Sequence, residues 1–284
     1  MDREEIVIRP ITEPDKLRAC HEVQVQTWGM KDREEIIPDH QFIAAVRNGG
    51  AVLGAYDGDK LIGFNYGFIG LNEDGKIHVC SHILGVLPDY RGLGLGYRLK
   101  VAQREYFMEK GIDLITWTFE PLEIVNASLN FNKLGVISRK YYLEYYGEML
   151  DALNKGLPSD RLLVEWHLKS KKVEEALAGK KQEFPQGPEV FTVLEVLPSH
   201  EGPKPFLKKP GSEGEEFSKI AAEIPAGFQQ LKKTSPKLAL DWRLAVREVI
   251  LHYLDRGYIV HNLYMLDKNK AAYVLVKEVE MDEN

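Results

Sequence analysis

Residues 84–96 carry the clearest chemical signal in the sequence. Three glycines, Gly92, Gly94 and Gly96, stand at alternate positions directly before a predicted helix. Glycine allows the backbone to approach a ligand closely, and the first N–H groups of a helix have no partner within it. Because these groups lie at the positive end of the helix dipole, they bind anions such as a pyrophosphate. The spacing therefore predicts a pyrophosphate-binding turn.

The two common nucleotide-binding motifs fit this turn poorly. A dinucleotide-binding fold places such a turn after the first strand of a parallel sheet, with an acidic residue about 20 positions later. Here the turn follows predicted antiparallel strands, and the Gly-Lys-Ser/Thr of a P-loop is missing. Neither motif accounts for the glycines in this context.

The elements that must position the turn are three strands and a helix. Asp-Gly turns separate three apolar runs at 51–56, 61–69 and 76–87. Asp-Gly between apolar runs predicts a hairpin, because its turn needs positive φ. After Pro88 the apolar residues recur at helical spacing as far as Tyr106, so a helix follows the turn at once.

The surrounding pattern predicts an α/β (α+β) domain. Its other predicted elements are a strand at 6–9, helices at 13–26, 41–47 and 126–134, and strands at 113–119, 136–145 and 162–168. This order favours a mixed, mostly antiparallel sheet flanked by helices.

The sequence changes character after residue 169. Residues 170–215 hold the weakest pattern, with a charged helix or linker followed by loops that include Gly202-Pro203-Lys204-Pro205. Ordered structure is expected to return at 217–220, in a long helix at 238–254, and in strands at 258–266 and 271–276. The broad apolar face of that helix is expected to comprise Leu240, Leu244, Val246, Ile250, Leu251 and Leu254. We therefore predict two domains, 1–169 and a smaller α/β domain at 170–284.

Composition excludes several classes of protein. The 284 residues include 37 Lys and Arg against 43 Asp and Glu, a net charge of −6, which argues against a chain that mainly neutralises nucleic acid. No run approaches the roughly 18 apolar residues of a membrane helix, and the first residues lack a signal-peptide pattern. Two cysteines, Cys20 and Cys80, are too few for a disulfide scaffold. We expect a cytoplasmic protein that binds neither nucleic acid nor membrane.

The glycine turn resembles a known coenzyme A site. Arg91-x-x-Gly94-x-Gly96, preceded by Val86-x-Pro88, is similar to the pyrophosphate motif of the GCN5-related N-acetyltransferase (GNAT) superfamily. The strand and helix order of residues 6–168 resembles that fold as well. The longer form, with residues 117–122 and 145–147, is similar to a branch with an extra C-terminal domain, in which some members resemble N-acyltransferases of amino acids, including succinyl transfer.

The resemblance implies a set of coenzyme contacts. N–H groups from Leu93 to Leu95 would hold the pyrophosphate, and the backbone of residues 84–86 would pair with the pantetheine arm as an added strand. The acyl thioester would lie between the strands at 80–87 and 112–119, which splay apart in this family. The residues implied in binding acetyl-CoA or another acyl-CoA are Leu84, Gly85, Val86, Arg91, Gly92, Leu93, Gly94, Leu95, Gly96, Asn126 and Asn130.

Two side chains are candidates for the base that accepts a proton from the attacking amine. His82 shares strand parity with Cys80, Leu84 and Val86, so we expect it on the same face, and its ordinary pKa near 6.5 suits proton uptake. A satisfied core or surface histidine is an equally good interpretation. Glu120 is the second candidate, although a capping or solvated carboxylate is the simpler interpretation. Glu22 and Glu35 are candidates for binding a cationic substrate, and solvated charges are the simpler interpretation for both.

The proton donor for the departing thiolate is where the sequence departs from the family. The tyrosine that the family usually carries corresponds to Phe131, which cannot donate a proton. Tyr141, Tyr142 and Tyr145 are alternatives to solvent protonation, with core aromatics as the default interpretation. Cys80 is a poor nucleophile candidate, because a thiol in an apolar strand is usually inert. Asn126 has a second interpretation as a helix N-cap.

Other charged residues indicate no further chemistry. The eight histidines are scattered, so we predict no metal site. Arg243, Arg247 and His252 are interpreted as a solvated helix face, with an anionic-substrate contact as the alternative. The Lys171-Lys172 and Lys180-Lys181 pairs are too short to indicate a nucleic-acid site.

Together these patterns predict an N-acyltransferase. It would move an acetyl or another short acyl group, such as succinyl, from acyl-CoA to a small-molecule amine, with an amino acid expected as acceptor. Residues 170–284 are expected to line one side of the acceptor site. The alternatives are a catalytically silent acyl-CoA-binding or regulatory module, which Phe131 makes credible, and a protein N-acetyltransferase.

Overall fold

A computed structural model describes residues 6–29, 36–147, 156–208 and 217–277. The described residues form two compact units. The first comprises those of Met1–Trp117 with His167–Lys169, and the second those of Thr118–Trp166 and Ser170–Asn284. Contacts therefore group residues 118–166 with the second half of the chain, and the domain boundary after residue 169 stays a prediction.

The first unit is built on a sheet in which β1, β2, β3, β4 and β5 lie side by side in that order. Neighbouring strands are antiparallel, except that β4 and β5 are parallel. The strands are β1 (Val7–Pro10), β2 (Ala51–Asp57), β3 (Lys60–Leu71), β4 (Ile77–Val86) and β5 (Leu114–Phe119), whose last two residues belong to the second unit. The helices are α1 (Pro14–Arg18), α2 (Cys20–Trp28), α3 (Asp39–Arg47) and α4 (Leu95–Met108).

Helices cover both faces of this sheet. On one face, Phe42 of α3 packs edge-on against Tyr66 of β3, with 4.9 Å between the ring centroids. On the other face, Gln103 of α4 donates a hydrogen bond of 3.3 Å to Asn65 of β3. Because Asn65 and Tyr66 are consecutive on one strand, their side chains point to opposite faces. We refer to these as the α3 face and the α4 face.

The second unit is also mostly antiparallel. Its strands lie in the order β7, β6, β11, β12, β10, β8, β9, and only β8 and β10 form a parallel pair among its described neighbours. The strands are β6 (Ile137–Tyr142), β7 (Arg161–His167), β8 (Val190–Leu197), β9 (Lys204–Leu207), β10 (Lys219–Pro225), β11 (Tyr258–Met265) and β12 (Lys270–Lys277). The helices are α5 (Ile124–Ser128), which runs into a π-helical turn at Leu129–Leu134, α6 (Lys171–Leu177), α7 (Phe228–Thr234) and α8 (Pro236–Leu254).

The predicted fold class is confirmed, and the errors lie in the second half. Strand β8 and helix α7 were not predicted, and β9 begins inside the segment predicted to be a loop. The predicted apolar face of α8 is partly wrong, because Leu240 and Leu244 are 37% and 43% exposed while Trp242 is buried. No helix among the described residues is long and apolar enough to cross a membrane.

Candidate active site

Among the described residues, no strand pairs with one edge of β4 at the end that leads to the glycine turn. Strands β4 and β5 pair only at Val79–Ile115 and Cys80–Thr116. The N–H of Leu87 donates to the carbonyl of Ile62 in β3. Successive residues of a strand direct their backbone N–H and C=O groups to opposite edges, so residues next to those that face β3 face the other edge. By this alternation the backbone groups of Leu84 and Val86 face the open edge. This is the geometry that pairing with a pantetheine arm requires.

Helix α2 closes one side of this edge. A Cβ atom on Gly85 would lie 2.7 Å from the indole of Trp28, so a larger residue there would have to displace that ring. Thr27 Oγ1 and Arg91 Nε each lie 3.4 Å from the carbonyl oxygen of Val86, to which they donate. Arg91 also donates to the carbonyl of Thr27 at 2.8 Å. The described bonds of Arg91 therefore tie α2 to β4, and its contact with a coenzyme stays a prediction.

The glycine turn contains two residues with left-handed backbone angles. Gly92 and Gly94 have φ angles of +79° and +73°, a left-handed conformation that costs other residues about 1 to 2 kcal/mol. No atom of the described residues lies within 4 Å of a Cβ atom placed on either glycine, so the space above the turn is open among them. Gly94 is the residue before α4, and its carbonyl accepts the first helical hydrogen bond, from Arg98. The free N–H groups of the first turn, which includes Leu95 and Gly96, thus begin at an open, exposed surface.

His82 occupies a β-bulge. Across the β3–β4 pair, Tyr66 lies opposite Ile83 and Gly67 lies opposite Ser81, so His82 has no residue opposite it. Its ring lies against Tyr66 and Phe68, at centroid distances of 6.1 and 5.9 Å. His82 therefore lies on the α3 face. An exposed edge remains, but the two aromatic rings remove water from its sides and lower its pKa below the ordinary value.

The bulge corrects the predicted orientation of β4. Leu84 lies opposite Asn65 and so shares the α4 face, whereas His82 lies on the α3 face. The expectation that His82, Leu84 and Val86 point to one side was wrong, because the inserted residue shifts the alternation. His82 does share a face with Cys80, which lies opposite Phe68. Burial raises the pKa of the Cys80 thiol, as expected for an inert cysteine.

Glu120 lies in the second unit and is held by arginines. Its Oε2 accepts hydrogen bonds from Arg243 and, at 3.4 Å, from Arg161, and its Oε1 accepts one from the N–H of Leu122 at 3.0 Å. The interpretation of Arg243 as part of a solvated face was wrong, because this side chain is 1% exposed. The sequence missed this because the partners of Arg243 lie more than 80 residues away. The role of Glu120 as a base stays a prediction.

The remaining predicted residues are spread over the second unit. Phe131 is buried between the rings of Phe119 and Tyr273, at 6.2 and 5.8 Å. Asn130 is buried in the π-helical turn. Asn126 is exposed within α5 and is not its N-cap, which is Glu123.

The tyrosines considered as proton donors have other described partners. Tyr141 donates to Asp160 at 3.0 Å, while Tyr142 and Tyr145 contact each other at 5.1 Å. Glu22 is near Gln26 on the exposed side of α2, and Glu35 lies outside the described residues. Within the ranges the structure describes, no group of three His, Cys, Asp or Glu side chains could hold a metal ion.

A buried polar group that the sequence did not predict is centred on Lys100 of α4. Its Nζ donates to Ser81 Oγ at 2.8 Å and lies 3.4 Å from the centre of the Trp117 ring. Ser81 Oγ in turn donates to Asn65 Oδ1 at 3.2 Å. Lys100 directly follows the buried Leu99 on the apolar side of the helix, and that position was the only signal in the sequence.

Comparisons with known proteins agree with the predicted family. Residues 15–135 match the model of the acetyltransferase (GNAT) family. No curated protein sequence matches the chain.

Solved structures of acetyltransferases resemble the chain over part of its length. One is the ribosomal-protein-S18-alanine N-acetyltransferase of Escherichia coli, at 14% identity, with a TM-score of 0.45 and coverage of 63% of this chain and 100% of that chain. A chain from the NatC complex bound to Gag peptide and CoA matches at 16% identity, with a TM-score of 0.45 and coverage of 58% and 99%. An aminoglycoside acetyltransferase from an uncultured soil metagenomic sample matches at 16% identity, with a TM-score of 0.38 and coverage of 43% and 82%.

The open edge of β4, the left-handed glycines before α4 and the family match all fall within one segment of the chain. Residues 15–135 therefore match an acetyltransferase domain of the GNAT family, and this segment holds the glycine turn.

Proposed function

We propose that the protein is a coenzyme A-dependent N-acyltransferase that moves an acetyl or another short acyl group, such as succinyl, to the amine of a small molecule. The first acceptors to test are amino acids. The observation that carries the proposal is the open edge of β4, which leads directly into two left-handed glycines with empty space above them.

Each part of acyl-CoA has a matching element in the first unit. The pyrophosphate would accept hydrogen bonds from the N–H groups at the start of α4. The pantetheine amides would pair with the backbone of Leu84 and with the N–H of Val86, whose carbonyl already accepts from Thr27 and Arg91. The thioester would then lie where β4 and β5 separate. Acetyl-CoA or another acyl-CoA is a co-substrate in this scheme, and no metal is needed.

His82 is the base that we favour. The amine must lose a proton as it attacks the thioester, and a group that is neutral at the working pH is required to accept it. The aromatic rings beside His82 lower its pKa by desolvation, so it stays neutral to a lower pH than a fully hydrated histidine. Glu120 is the weaker choice, because both of its oxygens already accept hydrogen bonds.

One observation favours a second function, a catalytically silent acyl-CoA-binding module. Phe131 is buried between two aromatic rings and cannot protonate a thiolate. A sensor would need the glycines but neither a base nor an acid. The unpaired thiols of Cys20 and Cys80 are consistent with a reducing, cytoplasmic setting for either function.

The first experiment is a calorimetric titration of the full chain with acetyl-CoA and succinyl-CoA, followed by an amine screen that measures release of the coenzyme A thiol. Binding followed by amine-dependent thiol release supports the enzyme. Binding without release from any amine supports the silent module. A folded protein that binds neither thioester overturns both proposals.

A further inference from the structure

Lys100 is a buried lysine without a carboxylate partner. Its side chain is 4% exposed, and among the described residues no Asp or Glu forms a salt bridge with it. Its Nζ instead contacts a hydroxyl group, Ser81 Oγ, and the face of the Trp117 indole. Burial lowers the pKa of Lys100 well below its ordinary value. Of the titratable groups in the described chain, the Cys80 thiol on β4 is the one that acts on Lys100, and its own pKa is raised.

Lys100 lies where β4 and β5 part. The last paired residues are Cys80 and Thr116, and the next residue on each strand is Ser81 and Trp117. Lys100 Nζ contacts both of these side chains, so it lies at the point from which the gap opens. Ser81 and His82 are consecutive but point to opposite faces of the sheet. A thioester in this gap would therefore have His82 on one side and Lys100 on the other.

A purely structural role does not explain the choice of lysine. A buried ammonium group loses its hydration, and apolar side chains of similar volume are usually as stable or more stable at such positions. The indole face offsets part of this cost through a desolvated cation–π contact. Groups that are retained against stability concentrate at functional sites.

The hydrogen-bond network fixes Lys100 as a donor. The Ser81 hydroxyl donates a hydrogen bond to Asn65 Oδ1, and Gln103 donates to the same oxygen at 3.3 Å. The oxygen of Ser81 therefore accepts a hydrogen bond from Lys100. Asn65 and Gln103 are positioning residues, because they act on the ammonium group only through Ser81.

We propose that Lys100 is the acid that protonates the departing thiolate, the role that Phe131 cannot fill. The inference rests on the proposed function. The amine nitrogen forms a bond to the thioester carbon, the carbon–sulfur bond breaks, and its electron pair passes to sulfur. Lys100 transfers one proton to that sulfur and becomes neutral, while His82 takes one proton from the amine. His82 then releases its proton to solvent and Lys100 regains one, so atoms and charge balance over the cycle.

A direct test measures the thiol of bound coenzyme A, so it does not depend on knowing the acceptor. Ultraviolet absorption of the thiolate is followed against pH for coenzyme A bound to the wild type, Lys100→Met, Lys100→Arg and the exposed control Lys110→Met. An ammonium group beside the sulfur lowers the thiol pKa, so Lys100→Met should raise it by about 1 to 3 pH units, while Lys110→Met leaves it unchanged. Lys100→Arg keeps the charge and should keep the thiol pKa low. If Lys100→Met fails to fold, the Lys100→Arg protein still tests the inference through kinetics.

Kinetics provide the second readout, once an acceptor is known. Both Lys100 variants should lower kcat by about 100-fold and lose the fall in rate at high pH, with little change in the KM for acetyl-CoA. An unchanged thiol pKa, an unchanged alkaline limb in both variants, or an acyl group found on Lys100 by mass spectrometry during turnover would each overturn the inference. If the wild type does not bind coenzyme A at all, the proposed function fails first. If the wild type binds coenzyme A and transfers the acyl group, but the Lys100 variants change neither the thiol pKa nor the alkaline limb, only this inference fails.

Discussion

Glu120 accepts a hydrogen bond from Arg243, a residue 123 positions later in the chain. Arg161 donates to the same carboxylate oxygen, and both arginines are nearly inaccessible to solvent. The carboxylate therefore neutralises buried cationic charge inside the second unit.

Replacing Glu120 by Gln should destabilise the protein strongly. The change removes the carboxylate that pairs with Arg243, whose side chain is 1% exposed, and this costs about 3 kcal/mol or more of unfolding free energy. Urea denaturation measures the loss. The control is Asp241→Asn, which breaks the exposed Lys237–Asp241 pair and should cost less than about 1 kcal/mol. Equal, small effects for both variants would contradict this role for Glu120.

Gly94→Glu should abolish coenzyme A binding. The new side chain would occupy the open space above the turn and place a negative charge where the pyrophosphate is expected. Gly111→Glu is a matched control, because Gly111 has φ +76° and open space around it but lies beyond the other end of α4. Calorimetry should find binding lost in the first variant and kept in the second. Tight binding by folded Gly94→Glu would remove the pyrophosphate assignment.

His82→Ala should lower kcat by about 100-fold while leaving coenzyme A binding intact. The neutral ring is the active form and its pKa is lowered, so wild-type kcat/KM should rise with pH through a value below 6.5. The variant should lack this acid limb. His78→Ala, on the same strand, is the control. If the acid limb survives in His82→Ala, another group is the base.

Lys100→Met should stabilise the protein at neutral pH. The unfolded chain protonates this lysine near pH 10.4, whereas the native state does so only at lower pH, so the wild type loses stability as pH falls through that window. Methionine removes this penalty, and the gain should be about 1 kcal/mol or more at pH 7. Urea titrations at pH 7 and pH 10 should show the gain shrinking at the higher pH. A variant that is less stable at pH 7 would mean that Lys100 is there to hold the fold together.

A fragment of residues 1–169 should fail to fold cooperatively. Strand β6 pairs with β11 at Ser138–Val260, and the ring of Phe131 packs against Tyr273. Both partners are lost in the fragment. Circular dichroism should therefore detect no sharp thermal transition unless residues 170–284 are supplied as a second chain. A sharp transition in the fragment alone would instead support the predicted boundary after residue 169.

Local signals predicted the strands and turns around the candidate site better than they predicted the second half. The hairpin turn at Asp57-Gly58 and the turn at Gly92–Gly94 need backbone angles that few residues adopt, so their sequence is informative in isolation. Strand β9 has no such signal. Its Pro205 favours a loop, and it becomes a strand because it pairs with β8 through Leu194 and Leu207.

The burial of charged residues could not be predicted from the sequence for a related reason. Lys100 and Arg243 are charged, and charged residues of a helix are expected by default to face solvent. Their burial depends on partners from distant segments: Ser81 and Trp117 for Lys100, and Glu120 for Arg243. Spacing within one helix holds no information on such partners.

The bulge at His82 also bears on how this chain is aligned with others. Consider a related chain that lacks the inserted residue and is aligned with this one without a gap. Before or after position 82, each aligned pair would then consist of residues that face opposite sides of the sheet. A base on the α3 face would then be equated with a residue on the α4 face. An alignment with such a chain therefore needs a one-residue gap at His82 before residues of this strand are compared.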